Sequence, residues 1–357
     1  MTIASETRAP PTWSISRAGS SPVQRRRREA AADLADALAT RIAGEVRFDP
    51  ASRALYATDL SIYRQVPIGV VIPKDVADVE ATVALCRERD VPILGRGCGT
   101  SLSGQTCNVA VVIDFSKYMN RILAIDPDSR RTRVQPGVIN DEIRKAAHKH
   151  GLTYAPDPAT HAYCTLGGNI GNNSCGAHTV MGGKTVDNVE ELDILTYDGL
   201  RLRVGATNDD ALELIKNAGG RRAEIYSRLK ELADRYADEI RRRYPKIPRR
   251  VSGYNLDDLL PEKGFHVARA LVGSEGTCAL TLSATLRLLP WPPKRSLLVL
   301  GYPDIASAAD DAAEFRVLGP DAIEAFDGHV VDNMKRKGKP LRGKPLLPEG
   351  HAWLAID

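Results

Sequence analysis

Hydrophobic residues in the first third of the chain form short β-branched runs around one run with helical spacing. Val70-Val71-Ile72 predicts a strand. Asp75 predicts the N-cap of a helix that extends to Arg89. The apolar residues of that helix recur every three or four positions: Val76, Val79, Val83 and Cys86. The run from Val91 to Leu94 predicts the next strand, and a glycine-rich segment follows it directly. A strand, a helix and a second strand therefore lead into a loop.

The middle of the chain predicts two β-hairpins and two more helices. The first hairpin pairs 122–125 with 132–135 around an Asp-Pro turn, and the second pairs 190–196 with 200–204 around Asp198-Gly199. Asn140 predicts the cap of a helix that runs to His150, and a long charged helix over 222–243 stops before Pro245. Because strands and helices alternate unevenly, the pattern favours two α+β lobes over one wound sheet.

A separate unit begins after Trp291-Pro292-Pro293. The pattern predicts strands over 296–300, 322–326 and 352–357, with helices over 305–315 and 328–337. We expect the last of these strands to end the chain without a following partner. Such a strand would leave an unpaired edge.

Composition excludes several classes of protein. The formal net charge of the 357 residues is +4, and aromatic residues make up 5% without interleaving with basic ones, so no nucleic-acid partner is indicated. The basic run Arg25–Arg28 begins an amphipathic helix, whose solvated face explains the charge. No run of apolar residues reaches the roughly 18 residues that a membrane span needs. The sequence contains no CxxC pair, so its cysteines do not indicate a metal site. We expect a chain with reduced cysteines in the cytoplasm. A peripheral position at the inner membrane is the alternative. The first 22 residues are expected to form a flexible tail.

The segment from Gly95 to Gly104 is the strongest chemical signal. Its glycines permit inward-facing N–H groups, which suit a phosphate or pyrophosphate. The dinucleotide fingerprint GxGxxG fails in register, since its sixth position is Thr100 or Leu102. The nucleotide-triphosphate loop fails because Gln105 replaces its lysine, and because a β-branched run rather than a helix follows. A surface turn without a ligand is the remaining alternative from this motif alone.

Two later motifs give the loop its context. The first runs from Cys164 to Gly176, reads CTLGGNIGNNSCG and follows Pro156–Thr160; the second is Gly273-Ser274-Glu275-Gly276-Thr277. In this order and spacing, the three motifs resemble the FAD-binding domain of the vanillyl-alcohol oxidase / p-cresol methylhydroxylase superfamily. The resemblance is strongest to its D-2-hydroxy-acid branch, which includes D-lactate dehydrogenase, the D subunit of glycolate oxidase and D-2-hydroxyglutarate dehydrogenase. It covers about 48–290 and, more loosely, the chain to Asp357.

The resemblance implies an α+β fold, in which a two-lobed FAD-binding domain over 23–290 precedes the start of an α+β cap domain over 291–357. The two lobes would span about 44–115 and 116–290. Relatives continue further, so the chain is expected to be C-terminally truncated. The FAD should bind non-covalently, because Thr100 stands where many superfamily members carry the histidine that bonds to flavin. The implied cofactor-binding residues are Arg96, Gly97, Cys98, Gly99, Thr100, Ser101, Gly104, Asp157, Thr160, Thr165, Gly167, Gly168, Asn169, Asn173, Gly176, Glu275, Gly276 and Thr277.

Catalytic residues are less clear. Oxidation of a 2-hydroxy acid needs a base for the hydroxyl proton and a cation for the carboxylate. The weak candidates are His161, His178, Arg250, Tyr254 and Asn255, and no metal site is expected. Each candidate also has an ordinary structural explanation, such as a hydrogen bond within a loop.

Two functions of different classes follow. The first is an FAD-dependent dehydrogenase of a small D-2-hydroxy acid, passing electrons to a quinone, a cytochrome or a flavoprotein. The second is a flavin-binding module or subunit, inactive until a partner chain completes its cap. Since the expected cap is incomplete, we expect slow or no turnover of D-lactate, glycolate or D-2-hydroxyglutarate by this chain alone.

Overall fold

The computed structural model describes residues 22–339 and 346–357, with side chains from residue 31 onward. The predicted tail over 1–22 lies outside the described residues except for Pro22, where a helix begins. The side chains of the basic run Arg25–Arg28 also lie outside them.

The first part of the chain forms a four-stranded sheet with helices beside it. Its strands are β1 (Glu45–Arg47), β2 (Gly69–Ile72), β3 (Ile93–Arg96) and β4 (Val111–Asp114), in the order β1-β2-β4-β3. β1 is antiparallel to β2, whereas β4 is parallel to both β2 and β3. The helices are α1 (Pro22–Arg41), α2 (Pro50–Leu55) and α3 (Val76–Glu88). The sequence prediction of a strand–helix–strand unit is confirmed here.

The helix α3 forms where the sequence predicts it. The Asp75 side chain accepts a hydrogen bond from the backbone N–H of Asp78 at 3.1 Å and so caps the helix. Val79, Val83 and Cys86 are buried, because their spacing places them on one face of the helix.

The second part of the chain forms a five-stranded antiparallel sheet in the order β5-β6-β10-β8-β9. Its strands are β5 (Ile122–Asp126), β6 (Arg131–Val134), β8 (Val189–Leu195), β9 (Arg201–Val204) and β10 (Leu280–Arg287). Both predicted hairpins are confirmed, as β5 pairs with β6 and β8 with β9. A separate two-stranded sheet pairs β7 (Leu152–Thr153) with β11 (Leu289–Pro290).

The remaining helices of this part are α4 (Asn140–His148), α5 (Leu166–Asn172), α6 (Thr179–Gly182), α7 (Thr185–Asn188), α8 (Asp209–Ala218), α9 (Gly220–Arg243) and α10 (Val267–Leu271). The prediction that Asn140 caps α4 is wrong. Ile139 occupies the N-cap position without a side-chain bond. Asn140 lies inside the helix, and its buried Nδ2 donates to the carbonyl of Pro156 at 2.9 Å. No helix among the described residues is long and apolar enough to cross a bilayer.

One hydrophobic cluster joins the two larger sheets. Val79 and Val83 from α3 pack in it with Phe115, which follows β4, and with Leu195 and Leu280 of the five-stranded sheet. This packing holds the C-terminal end of β3 beside β8 and β10. The first glycine-rich loop therefore begins at the junction of the two sheets.

The C-terminal unit is a three-stranded antiparallel sheet in the order β12-β14-β13. Its elements are β12 (Leu298–Tyr302), α11 (Ile305–Phe315), β13 (Ile323–Asp327), α12 (Gly328–Arg336) and β14 (Ala352–Ile356). The expectation of an unpaired last strand is wrong, because β14 is the central strand and pairs on both sides. The domain boundaries themselves stay a prediction.

Candidate functional site

The first glycine-rich loop is held in place by Arg96. This residue ends β3 and is buried, with 9% of its surface exposed. Its guanidinium donates to the carbonyls of Thr106 and Thr58 at 2.8 Å each, and to that of Tyr56 at 3.3 Å. The same group lies over the Tyr56 ring, 5.3 Å from its centroid. Arg96 thus ties the start of the loop to Thr106, just after its end, and to the segment that contains Tyr56 and Thr58.

Two residues of this loop, Gly97 and Gly99, must be glycine because other side chains lie too close to leave room for a Cβ atom. A Cβ at Gly97 would lie 1.9 Å from Oγ1 of Thr165. Gly99 has φ +68°, and a Cβ there would lie 2.5 Å from Nη2 of Arg96. The first loop and the second glycine-rich motif are therefore in direct contact at Gly97.

The second motif forms the short helix α5 and the turn after it. Thr165 precedes the helix, and Asn173 ends it in the left-handed conformation with φ +48°. The Asn173 Oδ1 accepts from the N–H of Val186 at 3.0 Å, which fixes the turn. Asn169 is 1% exposed, and neither its Nδ2 nor that of Asn173 has a hydrogen-bond partner among the described residues.

The third motif closes the site as a turn after α10. The N–H of Glu275 donates to the carbonyl of Gly171 at 3.0 Å. Glu275 has φ +51°, and its Oε1 accepts from Nε2 of Gln105 at 3.3 Å. The turn therefore contacts both of the other motifs, and a single bond between side chains connects residues 170 positions apart.

Two adjoining cavities lie between the three motifs. The space open to a water-sized molecule is about 100 Å³ in the first and about 300 Å³ in the second, and both cavities open to solvent. Residues that line both are Gly97, Ser101, Gln105, Thr106, Thr165, Gly168 and Asn172. The first cavity has an apolar wall of Phe115, Ile170, Leu192, Ile194, Leu271 and Leu280, whereas the second is lined by hydroxyl, thiol, amide and backbone groups.

Most of the residues that the sequence predicts for cofactor binding line these cavities. Those on the walls are Arg96, Gly97, Cys98, Gly99, Thr100, Ser101, Thr160, Thr165, Gly167, Gly168, Asn169, Glu275 and Gly276. Five others do not line them: Gly104, Asp157, Asn173, Gly176 and Thr277. Their contacts are structural: a Cβ at Gly176, for example, would lie 2.1 Å from the carbonyl of Asp157.

Sequence reasoning missed several lining residues. In the sequence, Gln105 serves only as evidence against a nucleotide-triphosphate loop, because it replaces the lysine of that motif. In the structure, Gln105 lines both cavities and its Nε2 donates to Glu275. The neighbouring Thr106 donates through Oγ1 to Asp59 at 3.0 Å. The sequence pattern indicates only strand core for Leu192, Ile194 and Leu280. Their position on the cavity wall depends on the packing of the sheets and carries no local sequence signal.

None of the five catalytic candidates lines either cavity. His161 is partly exposed, and its Nδ1 lies 2.7 Å from Oδ1 of Asp141. His178 is buried, with Nδ1 at 2.5 Å from Oδ2 of Asp157 and Nε2 at 3.2 Å from Nη2 of Arg295. Both histidines therefore have partners outside the cavities.

The other three candidates lie in the segment after α9. Arg250 forms an ion pair with Asp257 at 2.6 Å and stacks over the Tyr244 ring at 4.5 Å. Buried Asn255 donates to the carbonyl of Val272 at 2.7 Å. Tyr254 is 45% exposed, and its hydroxyl lies 2.8 Å from Oγ1 of Thr277. Of these three, Tyr254 forms a side-chain hydrogen bond with a residue of the third motif, and Asn255 bonds to the residue just before that motif.

Few titratable side chains line the cavities. Among the described residues they are Arg96, Glu275, Cys98 and Cys164. Burial raises the pKa of both thiols above its ordinary value, so each thiol is protonated at neutral pH. No cluster of three or more His, Cys, Asp or Glu that would suit a metal ion occurs in 22–339 or 346–357.

These walls fit a ligand rich in oxygen acceptors with a flat apolar part. The buried Nδ2 of Asn169 is a donor without a partner on the wall of the second cavity. A Cβ at Gly168 would approach no atom closer than 3.7 Å, and one at Gly276 would approach none within 4 Å, so backbone is open to a ligand there. The apolar wall of the first cavity adds a surface for a ring.

A family model described as an FAD binding domain matches residues 67–205. The match includes the first two glycine-rich motifs and β2, β3, β4 and β8. Residues 67–205 are therefore similar in sequence to an FAD binding domain. The third motif lies outside the matched range but completes the same cavities.

The names of similar curated proteins refer to 2-hydroxy acids. D-2-hydroxyglutarate dehydrogenase of Pseudomonas putida is 35% identical over 292 residues, covering 81% of this chain and 29% of that protein. Glycolate oxidase subunit GlcD of Escherichia coli K12 is 29% identical, covering 81% of this chain and 49% of its own. D-lactate dehydrogenase of Anaerostipes hadrus is 27% identical, covering 75% and 47%. This chain thus spans less than half the length of each of these three relatives.

A solved structure of alkyldihydroxyacetonephosphate synthase is similar in fold. It superposes with a TM-score of 0.62 at 18% identity, covering 91% of this chain and 55% of that chain. The likeness supports the mixed α and β fold of the chain.

Proposed function

We propose that the protein is an FAD-dependent oxidoreductase that acts on the CH–OH group of a D-2-hydroxy acid of the D-lactate, glycolate or D-2-hydroxyglutarate type. The observation that carries the proposal is the 35% identity to a D-2-hydroxyglutarate dehydrogenase across 81% of the chain. The names of the other two relatives support the same substrate class.

The residues proposed to hold FAD are those that line the two cavities. The backbone of Gly97, Gly99 and Ser101 would face the pyrophosphate, since glycine permits close approach and backbone N–H groups attract anions. The Nδ2 of Asn169 would donate to an oxygen of the cofactor, which would satisfy a buried donor. When bound, FAD supplies the two-electron acceptor for hydride from the substrate carbon.

The walls themselves offer little for the substrate. Glu275 is the only carboxylate on them among the described residues, and Gln105 donates to it. Arg96 is the only guanidinium on them in the same residues, and three carbonyls occupy it. Within the described part of the chain, a substrate carboxylate therefore has no free cation on these walls to orient it.

That observation favours a second candidate, a flavin-binding module or subunit that is inactive alone. A partner chain would then supply the cation and the base. In either case the electrons would pass to a quinone, a cytochrome or a flavoprotein.

Anaerobic mixing of the FAD-loaded chain with each acid separates the two candidates. D-Lactate, glycolate and D-2-hydroxyglutarate are added at millimolar concentrations, with L-lactate as the control, and flavin absorbance is followed. Bleaching by a D-acid or by glycolate, but not by L-lactate, supports the oxidoreductase. Fully FAD-loaded protein that none of the acids bleaches supports the module, and protein that binds no FAD contradicts both.

A further inference from the structure

A pocket separate from the two cofactor cavities lies beside the five-stranded sheet, and we call it the arginine pocket. Leu192 and Ile194 of β8 line the first cofactor cavity. Glu191 lines the arginine pocket instead, since successive strand residues point to opposite faces of a sheet. The space in it that is open to a water-sized molecule is about 810 Å³, and the pocket opens to solvent. Its walls are built from the sheet, from α8, α9 and α10, and from the segment after β9.

A β-bulge gives this pocket two adjacent carboxylates. Glu191 pairs with Thr285 and Val189 pairs with Leu286, so Glu190 is the extra residue on β8. The bulge turns Glu190 to the same face as Glu191. Bulges commonly re-aim side chains at binding sites, and this one holds two arginines in position.

Four arginines surround the pocket, and only two of them are neutralised by carboxylates of the described residues. Arg131 forms an ion pair with Glu190 at 2.5 Å, and Arg203 pairs with Glu191. Arg222 and Arg269 have no ion pair in the same part of the chain. Arg222 lies over the Tyr226 ring, 5.6 Å from its centroid, and Arg269 uses Nε to bind the carbonyl of Val189 at 3.2 Å. Two arginines around the pocket therefore lack a paired carboxylate among the described residues, although the charge of Arg269 also acts on the buried carboxyl of Asp258.

A buried histidine adds a neutral donor. His266 is 7% exposed, and its Nδ1 accepts from the N–H of Arg269 at 3.3 Å. This bond leaves the ring proton on Nε2. Burial and the neighbouring Arg269 lower the pKa of His266 to about 4, so the ring stays neutral at physiological pH.

We propose that this pocket is a binding site for a phosphate group, on a small metabolite or a nucleotide, distinct from the FAD site. Arg222 from α9, Arg269 from α10 and His266 before α10 all line the pocket, and their N–H groups are donors of the kind that a phosphate accepts from. Arg131 and Arg203 remain paired and define the rim.

FAD-saturated protein is the material for the test, because bound FAD removes the glycine-rich loop as a competing phosphate site. Inorganic phosphate, AMP and succinate are titrated by calorimetry at constant ionic strength, with flavin absorbance recorded in parallel. We expect saturable binding of phosphate or AMP without a change in the flavin spectrum. Tighter binding of AMP identifies a nucleotide, and equal binding identifies the phosphate alone.

Three variants assign the binding to the pocket. Arg222→Gln should weaken binding at least tenfold, and Glu190→Gln should strengthen it because Arg131 is freed. Arg235→Gln is the matched control, since Arg235 lies on the same helix over Tyr236 at 5.8 Å but outside the pocket. Circular dichroism verifies the fold of each variant. Binding of succinate alone, no saturable binding, or equal losses in Arg222→Gln and Arg235→Gln would overturn the proposal.

Discussion

At the scale of single residues, Gly99 matters for the loop that lines the second cavity. A side chain at Gly99 would be unfavourable for two reasons: φ at this residue is positive, and a Cβ would collide with the guanidinium of Arg96. Backbone strain and collision can be tested separately. Gly219 has φ +69°, close to the +68° of Gly99, but a Cβ there would meet nothing within 4 Å. The chain thus contains a matched control for backbone strain alone.

We predict that Gly99→Val abolishes measurable FAD binding, because the side chain is strained and displaces Arg96 from the loop. Gly219→Val should lose stability of about 1–3 kcal/mol from strain alone and keep its FAD affinity. Fluorescence titration with FAD, combined with far-UV circular dichroism, measures both. Equal FAD affinities for the two variants would mean that the loop does not contact the cofactor.

Thr100 leads to a second prediction at this scale. It lines the second cavity, and its hydroxyl cannot form the histidyl bond that some superfamily members make to flavin. We predict that acid precipitation of the holoprotein leaves a colourless pellet and a yellow supernatant. A yellow pellet would indicate a covalent bond at another side chain, with Cys98 and Cys164 as the thiols to test on the wall.

At the scale of elements, the segment between α9 and α10 buries an acid. Asp258 is 6% exposed, and burial together with Asp257 raises the pKa of its carboxyl to about 6. In the unfolded chain an aspartate has a pKa of about 3.9. The folded state therefore binds more protons between these values, and the stability contributed by Asp258 falls as pH rises from about 4 to about 6.

We predict that Asp258→Asn is more stable than the parent by about 1–3 kcal/mol at pH 7.5, and that the difference disappears below about pH 4. Urea unfolding at several pH values measures it. Asp257→Asn is a useful comparison, because it removes the ion pair with Arg250 as well as the repulsion on Asp258, so any gain in stability should be smaller. A difference that grows toward low pH would show that the sign is wrong.

Local patterns predict many of the elements, because periodicity and caps act within a few residues. The helices α3 and α11, the long helix α9 and both hairpins follow such signals. Asn140 is different: its side chain bonds to Pro156, sixteen residues away, so a good capping residue lies inside the helix instead. The order β12-β14-β13 also depends on pairing that no local signal encodes.

The candidate site divides in the same way. Glycines mark places where the backbone needs an unusual conformation or close approach, so the loop residues can be predicted from the sequence. Gln105 and the apolar wall are not, since their role depends on the docking of two sheets. The catalytic candidates rest on residue type and on position, since the two histidines flank the second motif and the other three residues lie in a segment that resembles one near the active site of the family. In the structure, hydrogen bonds and an ion pair account for each of them outside the cavities.

At the scale of the whole molecule, one polar cluster connects the C-terminal unit to the FAD-binding part. Arg295 contacts Asp357 and lies 3.2 Å from His178, which in turn binds Asp157. The N–H of Met181 donates to the carbonyl of Asp321 at 3.3 Å across the same boundary. These contacts lead from the end of β14 to Asp157, and the three residues after Asp157 line the second cavity.

We predict that Arg295→Gln loosens this boundary and speeds hydrogen exchange at the Met181 amide about tenfold, since a charged hydrogen bond contributes roughly 1.5 kcal/mol or more. Lys294→Gln is the control, because Lys294 is exposed and has no ion pair among the described residues. Exchange followed by mass spectrometry over 176–184 gives the rate. Equal rates in the two variants would mean that the backbone contacts suffice.

The bond between Gln105 and Glu275, which joins residues 170 positions apart, also bears on folding kinetics. Contacts of such long sequence separation form late, because a long loop must close before they contribute. Secondary structure in both sheets can therefore return before the cofactor cavities do. In refolding from urea, recovery of FAD binding should lag behind recovery of far-UV ellipticity, and the flavin would report the last step of assembly.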